Sequence, residues 1–203
     1  MIKLKLTIAT LLLSSFAIAQ KTSQVFESIE TNLSDYKGIA LEIWDLAEMG
    51  YQEYQSSNLL KVRLESEGFS ITTGVAEIPT AFVAEYGTKG PVIGILGEFD
   101  ALPGLSQKAV PFKESADAIG GHGCGHHLFG TASLAAAVAL KDWLIKTKTE
   151  GRIRFYGTPA EEGGGAKVYM SRAGLFDDVD VVLHWHPGAA NQANEAAALA
   201  NIS

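Results

Sequence analysis

Apolar residues recur at helical spacing from residue 23 to residue 50. In "KGIALEIWDLAEMG", Ile39, Ile43 and Leu46 fall at i, i+4 and i+7, and Leu41, Trp44 and Met49 widen the stripe. Gly50 is the expected stop. A second helical stretch, "SSNLLKVRLESEGF", places Leu59, Leu60, Val62 and Leu64 on its apolar positions, with Ser57 as the expected N-cap and Gly68 as the stop. Three β-branched, apolar runs then read as strands: "FSITTGV", "TAFVAEYG" and "PVIGILGEF". A Gly/Pro/polar loop covers about 100–123. It is followed by an alanine-rich helix, "LFGTASLAAAVALKDWLIK", whose small side chains suit burial against a sheet. "GRIRFYGTP" is a strand, "GGGAKVYMSRAG" a short helix and "VDVVLHWH" a last strand; the alanine-rich end, "NQANEAAALANIS", shows no cap. Strands alternating with helices predict an α/β fold on a parallel or mixed sheet.

The two ends of the polarity scale add a compartment and exclude some partners. "MIKLKLTIATLLLSSFAIAQ" has a basic start at Lys3 and Lys5, an apolar run from Leu6 to Phe16 and a small-x-small site, Ala17-Ile18-Ala19. This predicts a signal peptide over residues 1–19 and an exported chain, periplasmic or secreted. The run is short of the ~20 residues a spanning helix needs. Cleavage removes two lysines and no acid, moving the formal charge from −7 to −9. An acidic domain without a basic run is a poor match for nucleic acid or an anionic membrane surface. The one cysteine cannot form an internal disulfide, which leaves a core residue, a pair between chains, or a ligand.

All five histidines lie in two short segments, "GGHGCGHHLFG" and "LHWHPG". In open α/β sheets ligands bind beyond the carboxyl ends of strands, and three such ends carry polar clusters. "PVIGIL" runs into Glu98 and Asp100, "RIRFYG" into Glu161 and Glu162, and "VDVVL" into His184 and His186. Cys124 and His126, two apart, share one side of an extended backbone, and a thiolate with an imidazole suits a borderline-soft metal such as zinc. Of the adjacent Glu161 and Glu162, one can ligate while the other faces water as a general base. His184 and His186 alternate about Trp185, so a strand puts both on one face. Asp100 is placed to orient a ligand histidine through its other N–H. Gly-rich phosphate binding is disfavoured, because neither a P-loop nor a dinucleotide pattern is present.

"GEFDALPGLSQ", "GHGCGHHLFGTA", "GTPAEEGGGAK" and "DVDVVLHWHPG", in that order, resemble the consecutive motifs of the zinc-dependent amidohydrolase/metallopeptidase family, in its aminobenzoyl-glutamate hydrolase-like branch. "EIWDLAEMGYQEYQSSNLL" and "IPTAFVAEYG" are similar to that branch too, so the resemblance runs over about 25–190. It implies a zinc-exopeptidase-like α/β fold, with a mixed, mostly parallel sheet flanked by helices. It also implies hydrolysis of an amide in N-acyl amino acids, aminobenzoyl-glutamate or short peptides. Two zinc or manganese ions are the implied cofactors, with Cys124, His126, Glu162 and His186 as metal ligands. Glu161 matches the catalytic base and Asp100 the catalytic aspartate near the metals. His127 departs from the Asp or Asn usual after "CGH". Family members are about twice this long and form homodimers, so residues 20–203 correspond to the N-terminal part of the catalytic domain, without the lid/dimerisation domain. The rival expectation is a metal-binding remnant without turnover.

Overall fold

The computed structural model describes residues 25–190. The signal-peptide reading of residues 1–19 and the alanine-rich end therefore lie outside the described residues. A helical segment over 25–31 leads into α1 (Leu33–Leu46). Ile43 is fully buried and Tyr36 and Ala40 nearly so, whereas Leu41 is exposed. The apolar face is thus narrower than the sequence predicts. The helix stops at Ala47, in the left-handed conformation (φ 43°), and not at Gly50. Its next residues are already engaged elsewhere: the Glu48 carbonyl accepts the Ala101 N–H at 2.9 Å, and Met49 bridges to Ala101.

α2 (Tyr54–Ser66) begins three residues before the expected cap. Ser57 lies inside the helix, buried, and its hydroxyl donates to the Thr80 carbonyl at 2.8 Å. The N-terminal amides of α2 are capped by the Glu48 carboxylate, which accepts from Gln55 N at 3.1 Å and Ser56 N at 2.8 Å. Leu60 and Leu64 are fully buried; Val62 points to solvent. Its place in the sequence pattern comes from spacing alone, not from a packing partner.

The strands β1 (Ser70–Thr73), β2 (Phe82–Tyr86), β3 (Val92–Gly97), β6 (Arg152–Gly157) and β7 (Val181–Leu183) form one sheet in the order β1-β2-β6-β3-β7. β2 runs antiparallel to both β1 and β6, while β6, β3 and β7 are mutually parallel. Four of the five strands therefore point one way, the mixed, mostly parallel sheet expected. A two-stranded ribbon of β4 (Leu102–Pro103) and β5 (Gly120–Gly121) sits within the long loop. Alternation along the strands builds two cores. Phe82, Ile153 and Phe155 pack with Leu60, Leu64 and Leu134 on the face covered by α1, α2 and α3 (His126–Thr147). Val83, Leu96 and Tyr156 pack with Met170 of α4 (Ala166–Arg172) on the other. α3 is apolar and long enough to cross a membrane by composition, but its apolar faces are spent on α1, β3 and β6.

Parallel β3, β6 and β7 send their carboxyl ends to one edge. Their register is tight: Gly97 opposes Gly157, and Ile95 lies between Phe155 and Leu183. The residues that follow these strands, with the start of α3, make the site.

Candidate metal centre

The centre of the cluster is His126, which is fully buried on the first turn of α3. The helix starts here and not at Leu128. Gly125 precedes it at φ 80°, the left-handed conformation that a glycine takes at least cost. Cys124 and His126 are thus brought together by a tight turn and not by the extended backbone the spacing suggests. Farther along α3, Gly130 lets the helix approach the end of β3, since a Cβ there would lie 2.7 Å from the Glu98 carbonyl oxygen.

His126 Nδ1 lies 3.0 Å from Asp100 Oδ1 and 3.1 Å from the Asp100 carbonyl, so in the neutral ring the proton sits on that side and Nε2 presents the lone pair. Burial alone lowers the His126 pKa, but the Asp100 carboxylate, with Glu98 and Glu162 beyond it, outweighs this and holds it above the ordinary value. The second Asp100 oxygen accepts the Glu162 N–H at 2.8 Å. Asp100 is therefore a strut between the histidine and the glutamate turn.

On one side of His126 Nε2 stand Cys124 and His186. His186 Nε2 is 3.2 Å from Cys124 Sγ, and the three ligand atoms all lie within 4.8 Å of one another. His186 Nδ1 donates to the Pro187 carbonyl at 2.9 Å, which aims its other nitrogen at the cluster. Burial pushes the Cys124 thiol up to about 11, with Glu162, Glu161 and Glu98 adding to the effect. Only a nearby cation reverses that preference. On the other side lie Glu98 and Glu161, whose ligand atoms and His126 Nε2 again fall within 4.8 Å of one another. Glu98 is almost fully buried and pairs with Lys167; His184 Nε2 is 3.6 Å from the same oxygen. Glu161 is 44% exposed, at the mouth, with an oxygen 4.0 Å from His126 Nε2.

The orphaned atoms test whether a metal fits. Among the described residues His126 Nε2, Glu98 Oε2 and Glu162 Oε1 are buried without a hydrogen-bond partner. His126 Nε2 and Glu98 Oε2 stand 3.0 Å apart: with a neutral imidazole they are two acceptors facing each other, and a proton on Nε2, which the raised pKa favours, bridges them where no metal sits. Such contact is unfavourable unless a cation sits beside both. Nitrogen, sulfur and carboxylate donors are a set that zinc accepts. The residues present fit a divalent metal.

The structure brings together Asp100, Cys124, His126, Glu161 and His186 of the residues the sequence singles out, with Glu162 beside Cys124. Although β7 ends at Leu183, both later histidines reach the cluster, His184 Nε2 3.6 Å from Glu98 and His186 Nε2 3.2 Å from Cys124 Sγ. Phe129, fully buried one turn into α3, sets edge-on contacts to both rings, 5.0 Å from His184 and 6.1 Å from His186. Trp185 anchors the segment by donating to Ser133 Oγ at 3.1 Å. His122 is structural, donating Nε2–H to the Ile43 carbonyl at the end of α1 at 2.9 Å. The His127 ring lies tilted against it at 5.0 Å, and burial lowers its pKa to about 4, so it stays neutral. Sequence reasoning places Glu98 in the cluster but gives it no role. Its signal is the two-residue spacing to Asp100, which puts both carboxylates at one strand end.

An α/β sheet with a cysteine–imidazole–carboxylate cluster at the carboxyl ends of its parallel strands defines a metal-centre protein of the metallopeptidase class. The sequence profile of Peptidase family M20/M25/M40 matches residues 94–199, and the chain belongs to that family. It is 48% identical over 178 residues to one of the subunits of p-aminobenzoyl-glutamate hydrolase from Escherichia coli, covering 87% of this chain and 37% of that protein. It is 31% identical to the Xaa-Arg dipeptidase of Mus musculus, covering 82% and 38%. Among solved structures, the YXEP protein of Bacillus subtilis, a dinuclear metal binding peptidase from the M20 family, superposes with a TM-score of 0.56 at 26% identity, covering 74% of this chain and 42% of that one. The chain thus spans under two fifths of the length of the two curated relatives.

Proposed function

We propose that this chain carries the metal-binding part of an amide hydrolase, acting on the bond between an acyl group and an amino acid. The observation that carries this reading is the set of buried ligand atoms without hydrogen-bond partners converging on His126 Nε2. Cys124, His126, Glu162 and His186 would hold metal, with Glu98 across from them. The dinuclear binding of the Bacillus relative supports two ions, zinc or manganese. When bound, such ions polarise a substrate carbonyl and acidify water. Glu161, half open to the mouth, takes the proton of the attacking water and returns it to the leaving amine. Asp100 holds the His126 tautomer and the Glu162 backbone. The two curated relatives share one substrate chemistry, an amide whose amine is an amino acid, which supports N-acyl amino acids, aminobenzoyl-glutamate and dipeptides as substrates. The N-terminal pattern supports export before function. The E. coli relative is one of several subunits of its hydrolase, which supports a protein partner here.

The test separates the two glutamates. Metal content by elemental analysis is expected to survive Glu161→Gln and to fall with Glu162→Gln or Cys124→Ala. Hydrolysis of aminobenzoyl-glutamate by the zinc- or manganese-loaded protein is expected to drop ~10²–10⁴-fold in Glu161→Gln, the usual cost of losing a general base. Unchanged metal in Cys124→Ala, or turnover indifferent to Glu161→Gln, sinks the reading.

A further inference from the structure

The two glutamates ride on a turn whose own backbone bonds, Gly163 N–H to the Glu161 carbonyl and Gly164 and Gly165 N–H to the Ala160 carbonyl, close it but leave the Ala160 N–H to be held from outside. Ala160, directly before Glu161, is fully buried at φ 53°, a left-handed conformation for a residue with a Cβ. Such a residue is strained and persists only where its surroundings impose it. Much of that constraint comes from the loop between α1 and α2. Glu53 Oε1 accepts the Ala160 N–H at 2.8 Å. The Tyr51 hydroxyl donates to the Gly164 carbonyl at 2.7 Å, closing the far side of the turn. Gly50 lies against Ala160 so closely that a Cβ there would come 3.1 Å from the Ala160 methyl.

Glu53 is the unusual member. It occupies the N-cap position of α2 yet makes no capping bond; Glu48 does that work from five residues earlier. Its carboxyl is completely buried and its Oε2 has no hydrogen-bond partner among the described residues. Burial pushes its pKa up to about 7, against the pull of its own N–H, that of Ala160 and the Thr80 hydroxyl. A half-satisfied buried carboxyl weakens a fold, so its presence calls for a local reason. Its hydrogen bond goes to the amide directly before Glu161. Asp100 holds the same turn from the opposite side, through Glu162 N at 2.8 Å.

We propose that the Gly50–Glu53 loop is a clamp that positions the glutamate turn, with Glu53 as the positioning residue for Glu161 and Glu162 and Tyr51 as its second contact. This rests on the reading of Glu161 as base and Glu162 as ligand. Glu53 is assigned no contact with substrate or metal; it acts through the backbone of Ala160.

The experiment uses the full chain and two readouts. Hydrogen exchange over residues 158–165 reports the turn whether or not metal binds. Cobalt(II) titration, read from the thiolate charge-transfer and d–d bands, reports the site. Glu53→Leu is expected to speed exchange over 160–164 about tenfold, the loss of one hydrogen bond, with β6 unchanged. It is expected to weaken cobalt binding ~10–100-fold, the range for a residue supporting a ligand, while the Cys124 charge-transfer band keeps its intensity at saturation. Glu53→Gln keeps an oxygen for the Ala160 N–H and is expected to behave as wild type in both. Tyr51→Phe, at an exposed position, is expected to loosen 163–165 and gives the same local readout should Glu53→Leu fail to fold. Wild-type exchange over 160–164 in Glu53→Leu, or equal damage from Glu53→Gln, overturns the clamp. If wild type binds no cobalt while Glu53→Leu still loosens this turn alone, the clamp stands and the metal reading falls. If cobalt binds and neither variant alters the turn, the metal reading stands and the clamp falls.

Discussion

Glu98, Asp100, Glu161 and Glu162, with the Cys124 thiol, face three imidazoles and the Lys167 ammonium across a few ångströms. Metal-free, that balance leans negative: it adds to burial in keeping the Cys124 thiol protonated and outweighs burial in holding the His126 pKa high. Glu53, behind the cluster, gives a cleaner pH signature because it is not among the ligands. Its folded pKa is about 7 against an ordinary 4.5, raised by burial first and by the Asp100 charge among smaller causes. Below 4.5 the carboxyl is neutral in both states and nothing is lost. Between 4.5 and 7 the folded state keeps a proton that the unfolded state has released, so stability falls as pH rises. Above 7 the loss is complete, at most about 3 kcal/mol. Denaturant unfolding of wild type and Glu53→Gln across pH 4–8 is expected to show wild type gaining on the variant as pH drops through that window. A pH-independent difference contradicts the burial argument. The cluster's members were legible because chemistry-bearing residues sit at strand ends. Glu53 was not, because a single Glu in "GYQEYQ" reads as a solvent-facing charge until Ala160, over a hundred residues away, is seen on top of it.

The strands of the element pattern were read well because period-two alternation on both sheet faces leaves little freedom: Phe82, Ala84 and Phe155 go one way, Val83 and Tyr156 the other. Helix ends were read less well. The chain after α1 is held by the Glu48–Ala101 bond and Ser57 by Thr80, tertiary hydrogen bonds that no local pattern carries, while α3 starts after the left-handed Gly125. The approach of α3 to β3 is the element-scale feature that makes the site, and Gly130 tests it. In an exposed helix Gly130→Ala would gain about 1 kcal/mol of propensity. Here the new methyl meets the Glu98 carbonyl at 2.7 Å and Leu60 at 3.3 Å. The first neighbour is backbone and cannot swing away. Overpacking of this kind costs about 1–3 kcal/mol and outweighs the propensity gain. Gly130→Ala is therefore expected to melt lower, by about 2–4 °C per kcal/mol in a chain of this size. It is also expected to bind metal more weakly, because the displaced helix carries His126 away from Glu98. A variant that melts higher with unchanged metal affinity shows that the helix has room the geometry denies.

Across the whole molecule the two ends of the sheet differ. At one end β1 is short and polar-faced, with Ser70, Thr72 and Thr73 exposed. At the other, β7 pairs only with β3 among the described residues, and Val181, Val182 and Leu183 are 45%, 41% and 52% exposed. Leu128 and Trp185, also exposed, continue the apolar surface toward the metal centre. Soluble proteins guard such edges with charge, proline or a covering element, and none guards this one among the described residues. The apolar run of "VDVVLHWH" does not by itself say which strand lies at an edge, and the strand order places this one there. An unguarded apolar edge is a template for another strand. The chain is therefore expected to associate in a concentration-dependent way by size-exclusion chromatography with light scattering. Val182→Lys places a charge on the edge strand and is expected to shift the chain toward monomer. Because Val182 is already well exposed, the variant is expected to melt within about 0.5 kcal/mol of wild type, the ordinary range for surface changes. Metal affinity should hold as well, since His184 and His186 lie beyond the strand and Trp185 keeps its bond to Ser133. A wild-type chain that is monomeric at every concentration, or association untouched by Val182→Lys, shows that this edge is not the surface that drives contact.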